Sequence, residues 1–126
     1  MQTILLLENN AFTLAVMDAL LSRAGYTLLK ATDERAALAF VNNHDGPIHL
    51  LIADADANMR RTNQRTVLQA SRPEMKVILI SKSSKQQLLG RGILKPDDVL
   101  LKRPFTIGEL RDLVSQTLGG PEYAAG

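Results

Sequence analysis

The chain has 126 residues, of which 45% are hydrophobic and 22% charged, and it carries a formal net charge of +2. This composition is typical of one globular domain with a single core and excludes a disordered chain. The sequence has no cysteine, which excludes disulfides, thiolate metal sites and cysteine nucleophiles. No apolar run reaches the roughly 20 residues that span a bilayer, and no signal-peptide pattern opens the chain. We therefore expect no membrane contact and a cytoplasmic location.

Basic residues are concentrated between positions 60 and 103, where only Glu74, Asp97 and Asp98 are acidic. Such a segment can attract an acidic protein or nucleic acid, but a solvated basic surface is the simpler interpretation. Because the net charge is small and aromatic residues are few, we do not expect nucleic-acid binding. A small-molecule or nucleic-acid binder that uses this basic segment is kept as a weaker hypothesis, which retention of nucleic acid at low salt would test.

Short apolar runs alternate with helical patterns along the chain. The runs predict strands at residues 3–7, 26–31, 48–53, 75–81 and 99–102. Apolar positions at helical spacing predict helices at 11–24, at 33–43, at about 62–70, from 83 or 84 to about 90, and at 107–118, with a polar loop at 54–61. This alternation predicts a parallel sheet with right-handed crossovers and helices on both faces. Residues 1–118 form the predicted domain, and 119–126 a flexible tail or linker remnant.

Helix starts are marked by capping residues. Asn10 can cap the first helix, and Thr32 or Asp33 can cap the second. Thr106 followed by Glu109 is a capping box and marks the start of the last helix. These signals support the alternation of strands and helices.

Polar side chains follow three of the apolar runs. Glu8 and Asn9 follow the first run, Asp54 follows the third, and Ser81 ends the fourth. Because open α/β sheets place their ligands at the carboxyl ends of the strands, we expect these side chains to converge at one edge. Residues 7–11 contain no glycine, which argues against a dinucleotide or P-loop site. The two histidines, at positions 44 and 49, have no third ligand at metal spacing and are expected to be structural.

With this pattern the chain resembles the receiver domains of two-component signalling, which accept a phosphoryl group from a histidine kinase onto an aspartate. The resemblance runs from residue 3 to residue 118, and the segments DGPIHLLI at 45–52 and GRGIL at 90–94 are most similar to receivers of hybrid histidine kinases. It implies an α/β fold: a single-domain (βα)5 doubly wound parallel sheet, flavodoxin-like, with strand order 2-1-3-4-5.

The resemblance also implies three catalytic residues. Asp54 takes the position of the phosphoacceptor, and Ser81 takes the position of the hydroxyl residue that meets the phosphoryl group. Arg103 replaces the lysine that precedes a proline after strand five, and the resemblance suggests a cis bond before Pro104. An arginine keeps the positive charge and can hold a phosphate through two hydrogen bonds.

A Mg²⁺ site is implied at Glu8, Asn9, Asp54 and Asp56, the last through its backbone carbonyl. Mg²⁺ binds oxygen ligands and usually one or two carboxylates. Asn9 stands where the family has an acid and offers an oxygen without charge, so we expect weaker Mg²⁺ binding than in an ordinary receiver. An inward-turned Asp56 side chain would restore the charge, and simple helix capping is an equally good interpretation of Asn9.

Two functions follow from these residues. The first is a receiver in a phosphorelay, phosphorylated on Asp54 by a histidine kinase or phosphotransfer protein, with no enzyme activity beyond its own phosphorylation. The alternative is a pseudo-receiver that binds proteins without phosphorylation, which is favoured by Asn9, Arg103 and by Leu100 in place of an aromatic switch residue. In either case the resemblance implies a downstream protein partner at the face of the fourth predicted helix, fifth strand and last helix. The sequence leaves a homodimer open.

Overall fold

The computed structural model describes residues 1–58 and 64–119 of the chain. Strands and helices alternate through these residues. Their bounds are β1 Thr3–Leu7, α1 Ala11–Arg23, β2 Thr27–Ala31, α2 Glu34–Asn43, β3 Leu50–Asp54, α3 Ala55–Asn58, α4 Gln64–Gln69, β4 Lys76–Ser81, α5 Lys85–Gly90, β5 Val99–Lys102 and α6 Ile107–Leu118. The predicted tail lies outside the described residues apart from Gly119.

The strands form one parallel sheet in the order β2-β1-β3-β4-β5. This confirms the predicted fold class and strand order. Every residue of β1 and β3 is buried, as is all of β4 except Lys76, whereas β2 and β5 are partly exposed. Continuous apolar runs therefore mark the centre of the sheet, because these strands are covered on both faces.

The core is divided by the sheet into two clusters. Alternate residues of each central strand point to opposite faces, so Leu5 and Leu51 belong to one cluster while Ile4 and Ile52 belong to the other. The first cluster packs beneath α2, α4 and α5, and the second beneath α1 and α6. Leu100, which the resemblance aligns with an aromatic position, is partly buried and packs against the first cluster.

The helices α1, α2, α5 and α6 each begin at a side-chain cap that accepts the backbone N–H three residues on. The caps are Asn10, Asp33, Ser84 and Thr106. Thr106 forms the predicted capping box, and Ser84 forms a second one that the sequence analysis did not single out. No helix among residues 1–58 and 64–119 is long and apolar enough to cross a membrane.

The structure corrects several predicted boundaries. Strands two, three and four begin one or two residues later than predicted, because ladder pairing starts at Thr27, Leu50 and Lys76. The segment expected as a polar loop after Asp54 starts with the helical turn α3, because the Asp54 carboxylate accepts the N–H groups at its start. The third predicted helix is α4, while residues 62 and 63 of its predicted range lie outside the described part of the chain.

Arg72 closes the connection between α2 and β3. Its guanidinium donates to the backbone carbonyls of Val41 (2.7 Å), His44 (2.6 Å) and Gly46 (2.6 Å). The last turn of α2 has no basic residue of its own. Arg72 therefore satisfies a carbonyl of that turn and places a positive charge at the negative end of the helix dipole.

We expect Arg72→Ala to lower the free energy of unfolding by about 2 kcal/mol, because it removes three hydrogen bonds from a charged donor. Urea denaturation measures the change. Arg91→Ala removes an arginine at an exposed position and should stay within about 0.5 kcal/mol of the wild type. Equal losses for the two variants would contradict the capping role.

Candidate active site at the carboxyl edge of the sheet

Two buried carboxylates lie at the carboxyl edge of the sheet. Glu8 follows β1 and is 3% exposed, while Asp54 ends β3 and is 7% exposed. Ser81 ends the neighbouring strand β4 and is fully buried. Burying an ionised carboxylate is costly unless charge and hydrogen bonds compensate it. The neighbours of these side chains therefore determine what the site can do.

Asp54 is held by two sets of donors. Its Oδ1 accepts the backbone N–H groups of Asp56 (3.0 Å) and Ala57 (3.4 Å), which fixes the first turn of α3. Arg103 donates Nη1 to Oδ1 at 3.1 Å and Nη2 to Oδ2 at 3.0 Å. Asp54 is thus both a capping residue and the partner of a bidentate ion pair, and both of its oxygens are engaged.

Arg103 reaches two further carboxylates. Its Nη2 lies 3.7 Å from Glu8 Oε1, and its Nη1 lies 3.6 Å from Asp56 Oδ2. The backbone N–H of Arg103 donates to the Ser81 carbonyl, which anchors the arginine beside β4, and the Arg103–Pro104 bond is cis, as the resemblance suggested. We call Glu8, Asp54 and Asp56 the acidic cluster, and Arg103 touches every member of it.

The hydrogen bonds that Arg103 donates to Asp54 raise the pKa of Arg103 above its ordinary value, against the opposing effect of burial. The negative charges of the acidic cluster act in the same direction. Any stability that this raised pKa contributes is present below the unfolded-state pKa of arginine and is lost only above it. The guanidinium is therefore positively charged throughout the pH range in which proteins are handled.

Asp56 and Ser81 bind each other. The Ser81 hydroxyl donates to Asp56 Oδ1 at 2.6 Å, and the backbone N–H of Lys82 donates to Asp56 Oδ2 at 2.9 Å. Ser81 Oγ in turn accepts the N–H of Ser83. Sequence reasoning missed this pairing, although a carboxylate two residues beyond β3 and a hydroxyl at the end of β4 were the available signal.

Glu8 and the two asparagines after it have separate roles. Glu8 Oε2 accepts the N–H of Asn10, and Asn10 Oδ1 accepts the N–H of Thr13 as the cap of α1. Asn9 is exposed. The structure thus brings Glu8, Asp54, Asp56, Ser81 and Arg103 together and leaves Asn9 at the rim.

The donor set does not fit a divalent ion as it is arranged. Among residues 1–58 and 64–119, no three acidic or histidine side chains form a group that could hold a metal. Both carboxylate oxygens of Asp54 and of Asp56, and Oε2 of Glu8, already accept N–H or O–H groups. The Arg103 guanidinium lies within 4 Å of all three carboxylates. An ion that requires nearly octahedral oxygen ligands has to compete with that guanidinium.

The histidines have backbone roles. His49 Nδ1 accepts the N–H of Thr3 at 2.9 Å, and His49 donates its own N–H to the Thr3 carbonyl. His44 ends α2 and offers its carbonyl to Arg72. In these contacts the histidines join the strands and turns at the amino edge of the sheet.

No protein-family model and no curated protein matches the sequence. Solved receiver domains do match. A response regulator receiver protein from Sinorhizobium medicae has a TM-score of 0.77 and 24% identity over 94% of each chain. The receiver domain of the hybrid histidine kinase CckA has a TM-score of 0.72 and 25% identity, covering 92% of this chain and 98% of its own.

A third similar structure bears on the metal. The receiver domain of a sensor histidine kinase from Pseudomonas aeruginosa has a TM-score of 0.76 and 19% identity over 94% of this chain and 98% of its own. It was crystallised with a magnesium ion coordinated in its active-site cleft. The present chain therefore has the receiver fold found in two-component signalling proteins.

Replacing Arg103 by alanine would leave the acidic cluster without the cation that touches all its members. We expect the free energy of unfolding to fall by about 3 kcal/mol, the usual loss when a buried charge loses its partner. Asp54→Asn in the same background removes one of the repelling charges and should recover part of the loss. Urea denaturation of the wild type, both single variants and the double variant gives the coupling energy.

The matched control is Arg111→Ala. Arg111 pairs with Asp112 at 3.6 Å, and both side chains are more than half exposed. Such a pair contributes about 0.5 kcal/mol or less. A loss for Arg103→Ala no larger than that for Arg111→Ala would show that the buried pair does not stabilise the fold.

Proposed function

We propose that this chain is a receiver module of two-component signalling in which Asp54 accepts a phosphoryl group from a histidine kinase or phosphotransfer domain. The observation that supports this is the placement of Asp54 at the buried end of β3, with the Arg103 guanidinium on its carboxylate and the Ser81 hydroxyl nearby. The receiver fold is consistent with the proposal, which includes a cytoplasmic location and residues 1–118 as the functional domain.

The transfer needs a nucleophile and donors for the phosphoryl oxygens. An Asp54 oxygen attacks the phosphorus of a phosphohistidine, a P–O bond forms as the P–N bond breaks, and the imidazole leaves with the electron pair and takes up a proton. Arg103 donates hydrogen bonds from both terminal nitrogens to the Asp54 carboxylate. The same two donors can bind the phosphoryl oxygens once the group is attached. Ser81 can turn its hydroxyl from Asp56 to a phosphoryl oxygen. The chain's activity is then limited to its own phosphorylation.

We expect acetyl phosphate to add one phosphoryl group to the wild type, because it supplies the group with acetate as the leaving group. Intact-mass spectrometry in buffers with and without Mg²⁺ detects the adduct whether or not a metal takes part. Asp54→Asn should abolish the adduct, since the amide is a poor nucleophile.

Asp45→Asn is the matched control, because Asp45 is an exposed aspartate in the turn before β3. It should be labelled like the wild type. No label on the wild type, under conditions that label an ordinary receiver, would contradict phosphoacceptance. A label that survives Asp54→Asn would move the acceptor elsewhere.

The second candidate is a pseudo-receiver that binds proteins without phosphorylation. Its support is the bidentate contact of Arg103, which engages both Asp54 oxygens. Leu100 adds to it, because this partly buried residue packs against the core at the position that the resemblance gives to an aromatic switch. The binding face in either case is that of α5, β5 and α6, with a signalling protein or a second copy of the chain as partner.

If the chain is a pseudo-receiver, Asp54→Ala leaves the binding of the signalling partner unchanged, because that binding does not depend on the Asp54 carboxylate. Calorimetric titration measures the dissociation constant of the signalling partner, a kinase domain or an output protein, for the wild type and for Asp54→Ala. A tenfold or greater loss, about 1.4 kcal/mol, would instead favour a switch that depends on Asp54.

A further inference from the structure

We propose that Arg103 takes the place of the divalent ion in this chain, so that a positive charge is already held among the three carboxylates of the acidic cluster and the site does not depend on Mg²⁺. The inference goes beyond the proposed function, because it holds whether Asp54 is phosphorylated or not. It also departs from the weakened Mg²⁺ site that the sequence predicts.

The first argument is position. One guanidinium lies within 4 Å of all three carboxylates: at 3.0 Å from Asp54, 3.6 Å from Asp56 and 3.7 Å from Glu8. An ion that joined these carboxylates would have to occupy the space between them. That space holds the two terminal nitrogens of Arg103, whose side chain is only 25% exposed.

The second argument is the use of the oxygen lone pairs. Asp54 Oδ1 accepts from Arg103 and from two backbone N–H groups, and Asp56 accepts from Ser81 and Lys82. Glu8 Oε2 accepts from Asn10. Binding of Mg²⁺ would therefore break existing hydrogen bonds, and those of Glu8 and Asp54 belong to buried groups that are expensive to leave unpaired.

The third argument is charge. Glu8, Asp54 and Asp56 carry three negative charges, and Asn9, at the position of a family acid, adds none. Arginine is permanently charged, and its planar fork matches a carboxylate in a way that a point charge does not. Without the arginine, the three negative charges would have no cation among them, which favours the entry of a hard divalent cation.

The test is metal binding itself. We expect no saturable binding of Mg²⁺ to the wild type by calorimetry up to about 10 mM, and no selective broadening of the amide signals of Glu8, Asp54 and Asp56 by Mn²⁺, a paramagnetic substitute. Arg103→Ala should acquire binding at these residues, with an affinity at least about tenfold above that of the wild type, because a competing cation is gone.

Two further variants sharpen the result. Arg103→Gln removes the charge while keeping a polar side chain with two N–H donors, and it replaces Arg103→Ala if circular dichroism shows that the alanine variant is unfolded. Arg111→Ala removes one positive charge from an exposed pair outside the cluster and should gain nothing.

Saturable Mg²⁺ binding by the wild type at the acidic cluster would overturn the inference, as would folded Arg103 variants that gain no affinity. An equal gain in Arg111→Ala would assign the effect to net charge and would also overturn it. Because none of these readouts involves phosphorylation, the inference and the proposed function can fail separately.

Discussion

The burial of Asp54 beneath Arg103 is the constraint on which the site depends. A carboxylate that is 7% exposed is stable only where its charge is met. Arg103 meets that charge with two hydrogen bonds, and for this the end of β5 must lie within reach of the end of β3 with β4 between them. The order of the strands is therefore a condition for placing this acid in the core, as well as a consequence of packing. Without Arg103 at the end of β5, Asp54 would keep only the two backbone N–H groups at the start of α3 as donors.

An arginine differs from a metal ion as the counter-charge of such a site. It is covalently attached, so its presence does not vary with the composition of the solution, and its pKa is raised further by the cluster it serves. It also donates hydrogen bonds in a plane, which favours the flat carboxylate of Asp54 over a spherical arrangement of ligands. A receiver fold can thus keep its buried carboxylates stable without a metal ion as their counter-charge. Two differences from the receiver pattern, Asn9 in place of an acid and Arg103 in place of a lysine, are consistent with each other. One fewer negative charge and a guanidinium among the carboxylates both reduce the need for a divalent ion.

The sequence was sufficient to predict the elements whose residues are buried on both sides. Short continuous apolar runs favour strands covered on both faces, so the central strands were predictable, whereas their lateral order came from the resemblance. The turn α3 was not predictable from periodicity, because the Asp54 side chain imposes it through hydrogen bonds. The pairing of Asp56 with Ser81 joins residues 25 positions apart and depends on how far β4 extends beyond its neighbour. The position of Arg103 was expected, but its contacts with Glu8 depend on the length of a side chain that has replaced lysine.

The three hydrogen bonds that Arg72 donates between α2 and β3 all go to main-chain oxygens. Such a contact depends on the path of the loop and not on the chemistry of its side chains. His44 and Asp45 are therefore interchangeable with many residues as far as this contact is concerned, while Gly46, with φ of +92°, is not. Sequence drift in homologous chains is accordingly expected to accumulate at the two variable loop positions, with the distant arginine and the glycine retained together as a pair.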